Sequence, residues 1–342
     1  MRCVLHIGTE KTGSTAIQQF LHDNVELLRG KGVHVCQSGG EPNNRGLPAA
    51  FMAEDQTDDF LRGLDHRNIK ARRRWKKRLL KAFEKELKKA RKKSDVFVIS
   101  SEHFHSRLYS TAEVNELSAF LKPLFDKIEV ICYLRRQDQM AVSRYSQALR
   151  AGHVLGAPVP RADRIFQGHL PPYFDFEPLL DRWAEAFGES ALQPHIYSSD
   201  SLLDGNVVHD FLHKTGLGFE AHEMPAIPKA NSALSGEAQT VLLGVNKSLD
   251  TRDRTQQQRQ QYRRLVKFLD ENAQGVSLRP EKAEAQAFYQ VFRSSNRAVA
   301  QRWFNREGLF NQDFSMYSEA KPDINPQDVA ALLAEFMLRE GS

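Results

Sequence analysis

The chain has 342 residues, with 41% apolar and 27% charged side chains, so it can bury a sizeable core as one large or two ordinary domains, and wholesale disorder is excluded. No run approaches the roughly 20 apolar residues that span a bilayer, and the stretch after Met1 lacks the pattern of a secretory signal. Cys3, Cys36 and Cys132 sit in apolar runs without Cys-x-x-Cys spacing, which argues against a disulfide framework or a cysteine zinc site and leads to the expectation of reduced thiols in a cytoplasmic protein.

In chain order, short apolar runs predict buried strands at Cys3–Ile7, Val33–Cys36, Asp95–Ser100, Ile128–Leu134 and Leu192–Tyr197. Helical spacing links Ile17, Phe20, Leu21, Val25 and Leu28, and further helices are predicted at Val114–Phe125 and Gln139–Leu149. Strands alternating with helices imply an α/β fold whose mainly parallel sheet is covered on both faces, because such strands read as continuous apolar runs. After about residue 204 the pattern is helical: Val207–Thr215, Glu237–Leu249, Thr255–Asn272, Glu281–Phe304 and Pro326–Arg339. The expectation is one domain over 1–342, with an α/β core over 1–220 and a mostly helical part over 221–342. Two long loops, Gln37–Pro48 and Gly152–Pro172, have the length of binding loops. The second carries Arg161, Arg164 and His169, which could meet an anionic acceptor.

Charge is unevenly spread. Residues 70–93 hold 14 Lys and Arg against 2 Glu, a surplus of 12, so with a net charge of +5 the rest of the chain carries −7. A segment this basic can meet a polyanion. Trp75, Leu79, Phe83 and Leu87, four residues apart, make one apolar stripe, which predicts a core-packed amphipathic helix with a solvated basic face. Without aromatic residues on that face to stack on bases, nucleic acid is not an expected partner.

The densest chemistry lies between the first strand and the first helix, in Gly8-Thr9-Glu10-Lys11-Thr12-Gly13-Ser14-Thr15. Glycines allow a tight turn whose backbone N–H groups, with the helix N-terminus, form an anion site. Ser14 and Thr15 add hydroxyls and Lys11 a cation. The nucleotide-triphosphate pattern G-x-x-x-x-G-K-[ST] does not fit, since the lysine precedes the second glycine. After the fourth strand, Arg135 and Ser143 stand eight positions apart, where a guanidinium and a hydroxyl can share a phosphate. The third strand ends in Ser100-Ser101-Glu102-His103-Phe104-His105, which supplies candidate general bases. In an open parallel sheet this segment faces the cleft beyond the strand ends.

Lys11-Thr12-Gly13-Ser14-Thr15 and the Arg135/Ser143 pair resemble the sulfotransferases that use 3′-phosphoadenosine 5′-phosphosulfate (PAPS), whose donor loop reads K-[ST]-G-[ST]-[ST]. The segment from Pro194 to Leu212, with Phe211-Leu212 on a helix, is a third similarity. The likeness covers roughly residues 1–220 and is nearer to the bacterial and carbohydrate-directed branch. It implies a P-loop-like three-layer fold, Lys11 at the leaving phosphate, Thr12, Gly13, Ser14 and Thr15 around the 5′-phosphate, and Arg135 and Ser143 at the 3′-phosphate. The product would be adenosine 3′,5′-bisphosphate, no metal is required, and the acceptor would be a hydroxyl on a carbohydrate or glycolipid. Relatives place His or Glu as base at the third strand, and the order adopted is Glu102, then His103, then His105. Phenol-type members carry Trp just after the loop where this chain has Ala16, so adenine contacts are expected elsewhere. Arg293 to Arg297 could bring a second basic contact to the 3′-phosphate. His209 and His213, at i and i+4, resemble a zinc helix except that Asp210 stands where Glu is needed. Two other readings are a P-loop kinase or nucleotidase and a non-enzymatic polyanion-binding protein that uses residues 70–93.

Overall fold

In the computed structural model the described residues are 1–64, 68–167, 171–217, 219, 233–249, 254–273, 275–321 and 323–340. Strands β1 (Arg2–His6), β2 (Val33–Val35), β3 (Val96–Ser100), β4 (Lys127–Leu134) and β5 (Leu192–Ile196) form one sheet in the order β2-β3-β1-β4-β5. All four pairings are parallel, as the continuous apolar runs imply. Before β4 lie α1 (Ser14–Asp23), α2 (Val25–Gly30), α3 (Gly46–Phe51), α4 (Asp59–Gly63), α5 (Ile69–Ala90), α6 (His103–Arg107) and α7 (Thr111–Leu121). After β4 come α8 (Gln137–Arg150), α9 (Pro171–Phe174), α10 (Phe176–Phe187) and α11 (Val207–Thr215). The helical C-terminal part holds α12 (Gly236–Ser248), α13 (Gln256–Asn272), α14 (Lys282–Gln290), α15 (Arg293–Phe304) and α16 (Pro326–Glu340).

The chain folds into two compact units. The first takes Met1–Arg135, His169–Ile227 and Ser295–Leu309, and the second takes Arg136–Gly168, Pro228–Ser294 and Phe310–Ser342. The first unit holds the sheet. On one face Val4, Val98 and Tyr133 pack against Ile17, Phe20 and Leu21 of α1, Leu28 of α2 and Val208, Phe211 and Leu212 of α11. On the other, Phe83 of α5 meets Phe97 of β3 edge-on at 5.4 Å, while α10 packs on β4, β5 and α7. Each such fully buried side chain contributes about 1.5–3 kcal/mol of transfer free energy. β1 lies where the strand order reverses, with β3 on one side and β4 on the other. The segments leaving β1 and β4 therefore emerge together at the sheet's switch point, the usual ligand position in open α/β sheets.

The second unit is helical. Tyr145 and Leu149 of α8, Leu242 of α12, and Leu265 and Leu269 of α13 form its core, with Leu332, Leu333 and Phe336 of α16 packed against them. At the start of α8, buried Arg136 makes a paired bond to Asp138 (2.8 and 3.0 Å) and donates to the carbonyls of Asn311 and Asp313, while Tyr317 donates to the same carboxylate.

Several boundaries differ from the expected ones for local reasons. The first helix breaks at Asn24, whose side-chain amide donates to the Phe20 carbonyl at 2.9 Å and competes with the next helical turn. A capping box of Ser110 and Glu113 starts α7 three residues early, and a turn with Pro123 ends it at Leu121. The helix expected over Glu281–Phe304 divides between Gln290 and Arg293. α10 was not expected, although Phe176, Leu179, Leu180, Trp183 and Phe187 stand at helical spacing and are all buried.

α5 is the amphipathic helix the stripe predicts: Phe83 and Leu87 are buried and Trp75 and Leu79 are half-buried. Two polar residues tie it down. Arg72 donates to the carbonyls of Met52, Glu54 and Gln56. Glu86 accepts from the backbone N–H groups of Gln37 and Ser38, both at 2.8 Å, and pairs with His34 at 2.7 Å. It thereby fixes the start of the Gln37–Pro48 loop.

Candidate active site

The loop from Gly8 to Gly13 is anchored on β4. Thr9 donates from its N–H (3.0 Å) and its hydroxyl (2.9 Å) to the Tyr133 carbonyl, and Tyr133 N–H donates back to Gly8. The hydroxyls of Thr12 (2.6 Å) and Ser14 (3.2 Å) both donate to the Thr9 carbonyl, which curls the loop over the start of α1. Gly8, Lys11 and Gly13 have φ of 100°, 67° and 76°. A left-handed lysine among glycines is a costly conformation, about 1–3 kcal/mol, of the kind that clusters at ligand sites. Space also demands glycine. A Cβ on Gly13 would lie 2.7 Å from Val207 Cγ1, and one on Gly8 would lie 3.1 Å from Glu102 Cα. Thr15 is exposed on the first turn of α1, whose leading N–H groups have no intrahelical acceptor. The set of donors is that of an oxyanion cradle.

Arg135, the first residue after β4, donates from Nη1 to the Lys11 carbonyl at 2.9 Å, and its guanidinium lies 5.4 Å from the Tyr197 ring centre. The two motifs, 124 residues apart in sequence, thus meet in one place. Its neighbour Arg136 is committed to Asp138 instead. Ser143 lies half-buried on α8, in the second unit.

Beside the loop is a half-buried acid–base cluster. Glu102 sits at the start of α6, and its Oε2 accepts from Gln18 Nε2 of α1 at 2.6 Å. His103 stands between two carboxylates, Nε2 3.8 Å from Glu102 Oε1 and Nδ1 4.0 Å from Glu10 Oε1. Burial lowers the His103 pKa, and both carboxylates only partly oppose it, so the ring is neutral near pH 7. Glu10 Oε2 accepts from the Tyr173 hydroxyl at 2.7 Å, and Arg107 Nη1 lies 4.0 Å from Oε1. Burial alone would raise the Glu10 pKa, but Ser106, His105, Tyr173 and Arg107 together hold it below the ordinary value. Arg107 Nε continues to Asp58 at 3.1 Å, and Asp58 caps α4 through Leu61 N–H and pairs with Arg45 at 3.0 Å.

His105 is differently placed. Its Nδ1 accepts from Glu10 N–H at 3.3 Å and its Nε2 faces the Tyr173 carbonyl at 3.0 Å, which fixes a neutral ring with the proton on Nε2. Burial pushes its pKa down to about 4. With both nitrogens occupied, His105 holds the loop to Tyr173.

Glu10, Gln18, Arg107 and Tyr173 were missed in the sequence. Gln18 alone carried a local signal, a polar residue at a buried position of α1 beside Ile17. His209 pairs with Asp204, and Asp210 accepts from Tyr133 at 2.8 Å and from Leu203 N–H. Among the described residues no three His, Cys, Asp or Glu side chains gather to hold a metal ion. Arg161 pairs with exposed Asp163, and His169 lies outside the described residues. Arg297 faces Glu307 at 3.4 Å. Cys3, Cys36 and Cys132 are buried and unpaired, and no helix among the described residues is long and apolar enough to cross a membrane.

No family model matches the chain. An uncharacterized protein of Archaeoglobus fulgidus is 29% identical over 261 residues, covering 71% of this chain; the chain spans 66% of that protein's length, just under two thirds. Among solved structures, a sulfotransferase from Alicyclobacillus acidocaldarius aligns over 72% of this chain and 92% of its own, with 14% identity and a TM-score of 0.39.

Proposed function

We propose that the chain is a PAPS-dependent sulfotransferase that moves a sulfuryl group to an acceptor hydroxyl on a carbohydrate or glycan. The observation that carries this reading is the 2.9 Å bond from Arg135 to the Lys11 carbonyl, which supports one anion site served by both motifs. In this reading the loop amides and residues Thr12 to Thr15 hold the 5′-phosphosulfate, while Arg135 takes the 3′-phosphate.

The acceptor oxygen attacks sulfur, the bond from sulfur to the bridging oxygen breaks, and adenosine 3′,5′-bisphosphate leaves with that electron pair. Charge accumulates on the leaving oxygen in a loose transition state, where the Lys11 ammonium is most effective. The acceptor's proton passes to Glu102, oriented by Gln18, or to neutral His103.

Melting curves with added ligands separate this reading from its rivals, because a ligand that binds only the native state raises the melting temperature. Adenosine 3′,5′-bisphosphate should do so where ATP with Mg²⁺ does not, and labelled sulfate should pass from PAPS to members of a glycan panel. Stabilisation by ATP with Mg²⁺ alone would favour a kinase and overturn the proposal.

A further inference from the structure

We propose that the outward face of α5 binds a linear acidic polysaccharide. Arg74, Arg78, Lys81, Lys85, Lys88 and, just past the helix end, Lys92 follow one another at alternating steps of four and three residues. That spacing lines them up on one side of a helix, and all six are exposed. The row is about 27 Å long at 1.5 Å per residue. Lys77 and Lys89 flank it, and Glu84 stands at its margin.

Three cations off the row do structural work, whereas those in it do not. Arg73 pairs with Glu54 and Lys76 with Glu116, while Arg72 is buried against backbone carbonyls. Among the described residues none of the six in the row has a carboxylate within ion-pair distance. Like charges at i and i+4 destabilise a helix, so folding alone gives no reason for such a row.

The chemistry of the face narrows the partner. It carries no aromatic side chain for base stacking, which disfavours single-stranded nucleic acid. The helix's apolar stripe is turned inward, with Phe83 and Leu87 buried, and the row itself carries no apolar side chain to insert into a lipid layer. What remains is a narrow line of flexible, solvated cations, matched by a flexible chain with anions at regular intervals. This inference stands apart from the transfer reaction, since neither nucleotide nor turnover enters it.

The test is binding of the full chain, without nucleotide, to a fluorescent heparin dodecasaccharide and to oligogalacturonate, with a 20-base-pair DNA duplex and phosphatidylserine vesicles alongside at the same ionic strength. The proposal expects at least one polysaccharide to bind more tightly than duplex or vesicles, with affinity falling as salt rises. The triple variant Arg78→Gln, Lys81→Gln, Lys85→Gln should weaken it at least tenfold, and Lys247→Gln, Arg263→Gln, Lys267→Gln should change it less than twofold. Equal losses in both variants, no loss in the first, or tighter binding of duplex or vesicles would overturn it.

Discussion

Around the loop and α6, charges answer one another: Glu10 has Tyr173 and Arg107, Glu102 has Gln18, and Asp58 has Arg45 and Arg107. Along the outward row of α5, Arg74, Arg78, Lys81, Lys85, Lys88 and Lys92 are exposed and meet no carboxylate among the described residues. The first arrangement holds polar atoms in defined geometry, which suits chemistry; the second supplies field without geometry, which suits attraction of a polymer. Density of charge in a sequence therefore does not locate a reaction centre.

The contrast breaks most readily at Glu102. Glu102→Gln should lower turnover about 10²–10⁴-fold while leaving adenosine 3′,5′-bisphosphate binding intact; near-normal turnover in a transfer assay would move the role to His103. Next, Arg135→Ala should weaken adenosine 3′,5′-bisphosphate by roughly 2–5 kcal/mol and adenosine 5′-phosphosulfate by much less. Calorimetry that shows equal losses would remove Arg135 from the 3′ end.

A third test uses pH. Burial lowers His6 to about 3 and His105 and His195 to about 4 from an ordinary 6.5, so the unfolded chain takes up protons first as pH falls. Stability should be full above about pH 6.5 and decline toward pH 4, by about 2–3 kcal/mol for each such ring, with Glu10 adding to the loss below about 4.5. Melting temperatures that stay flat from pH 7 to 4 would contradict the buried neutral rings. The smallest effect belongs to α5: Lys81→Gln with Lys85→Gln should shift stability by less than about 0.5 kcal/mol, and upward if at all. A clear drop in melting temperature would show that the row supports the fold.

What the sequence made legible was local. The five strands announced themselves as apolar runs, and Lys11 to Thr15 and Arg135 could be read because each motif adjoins its strand. Glu10 looked like one more loop residue because the hydroxyl it accepts from, on Tyr173, is 163 residues away. His105 looked like a third base because its lock is a backbone carbonyl on the same distant segment. Arg135 and Arg136 are adjacent and chemically alike. Only the side chain two residues on, Asp138, and the carbonyls of Asn311 and Asp313 separate a structural guanidinium from one at the loop.

The central claim is that the cation at position 11 and the guanidinium at 135 serve one nucleotide. A crystal structure with adenosine 3′,5′-bisphosphate tests it most directly. The account predicts the 5′-phosphate on the N–H groups of residues 12–15 and the 3′-phosphate within hydrogen-bond distance of Arg135; a nucleotide bound elsewhere, or one that touches the loop and leaves Arg135 on the Lys11 carbonyl alone, would contradict it.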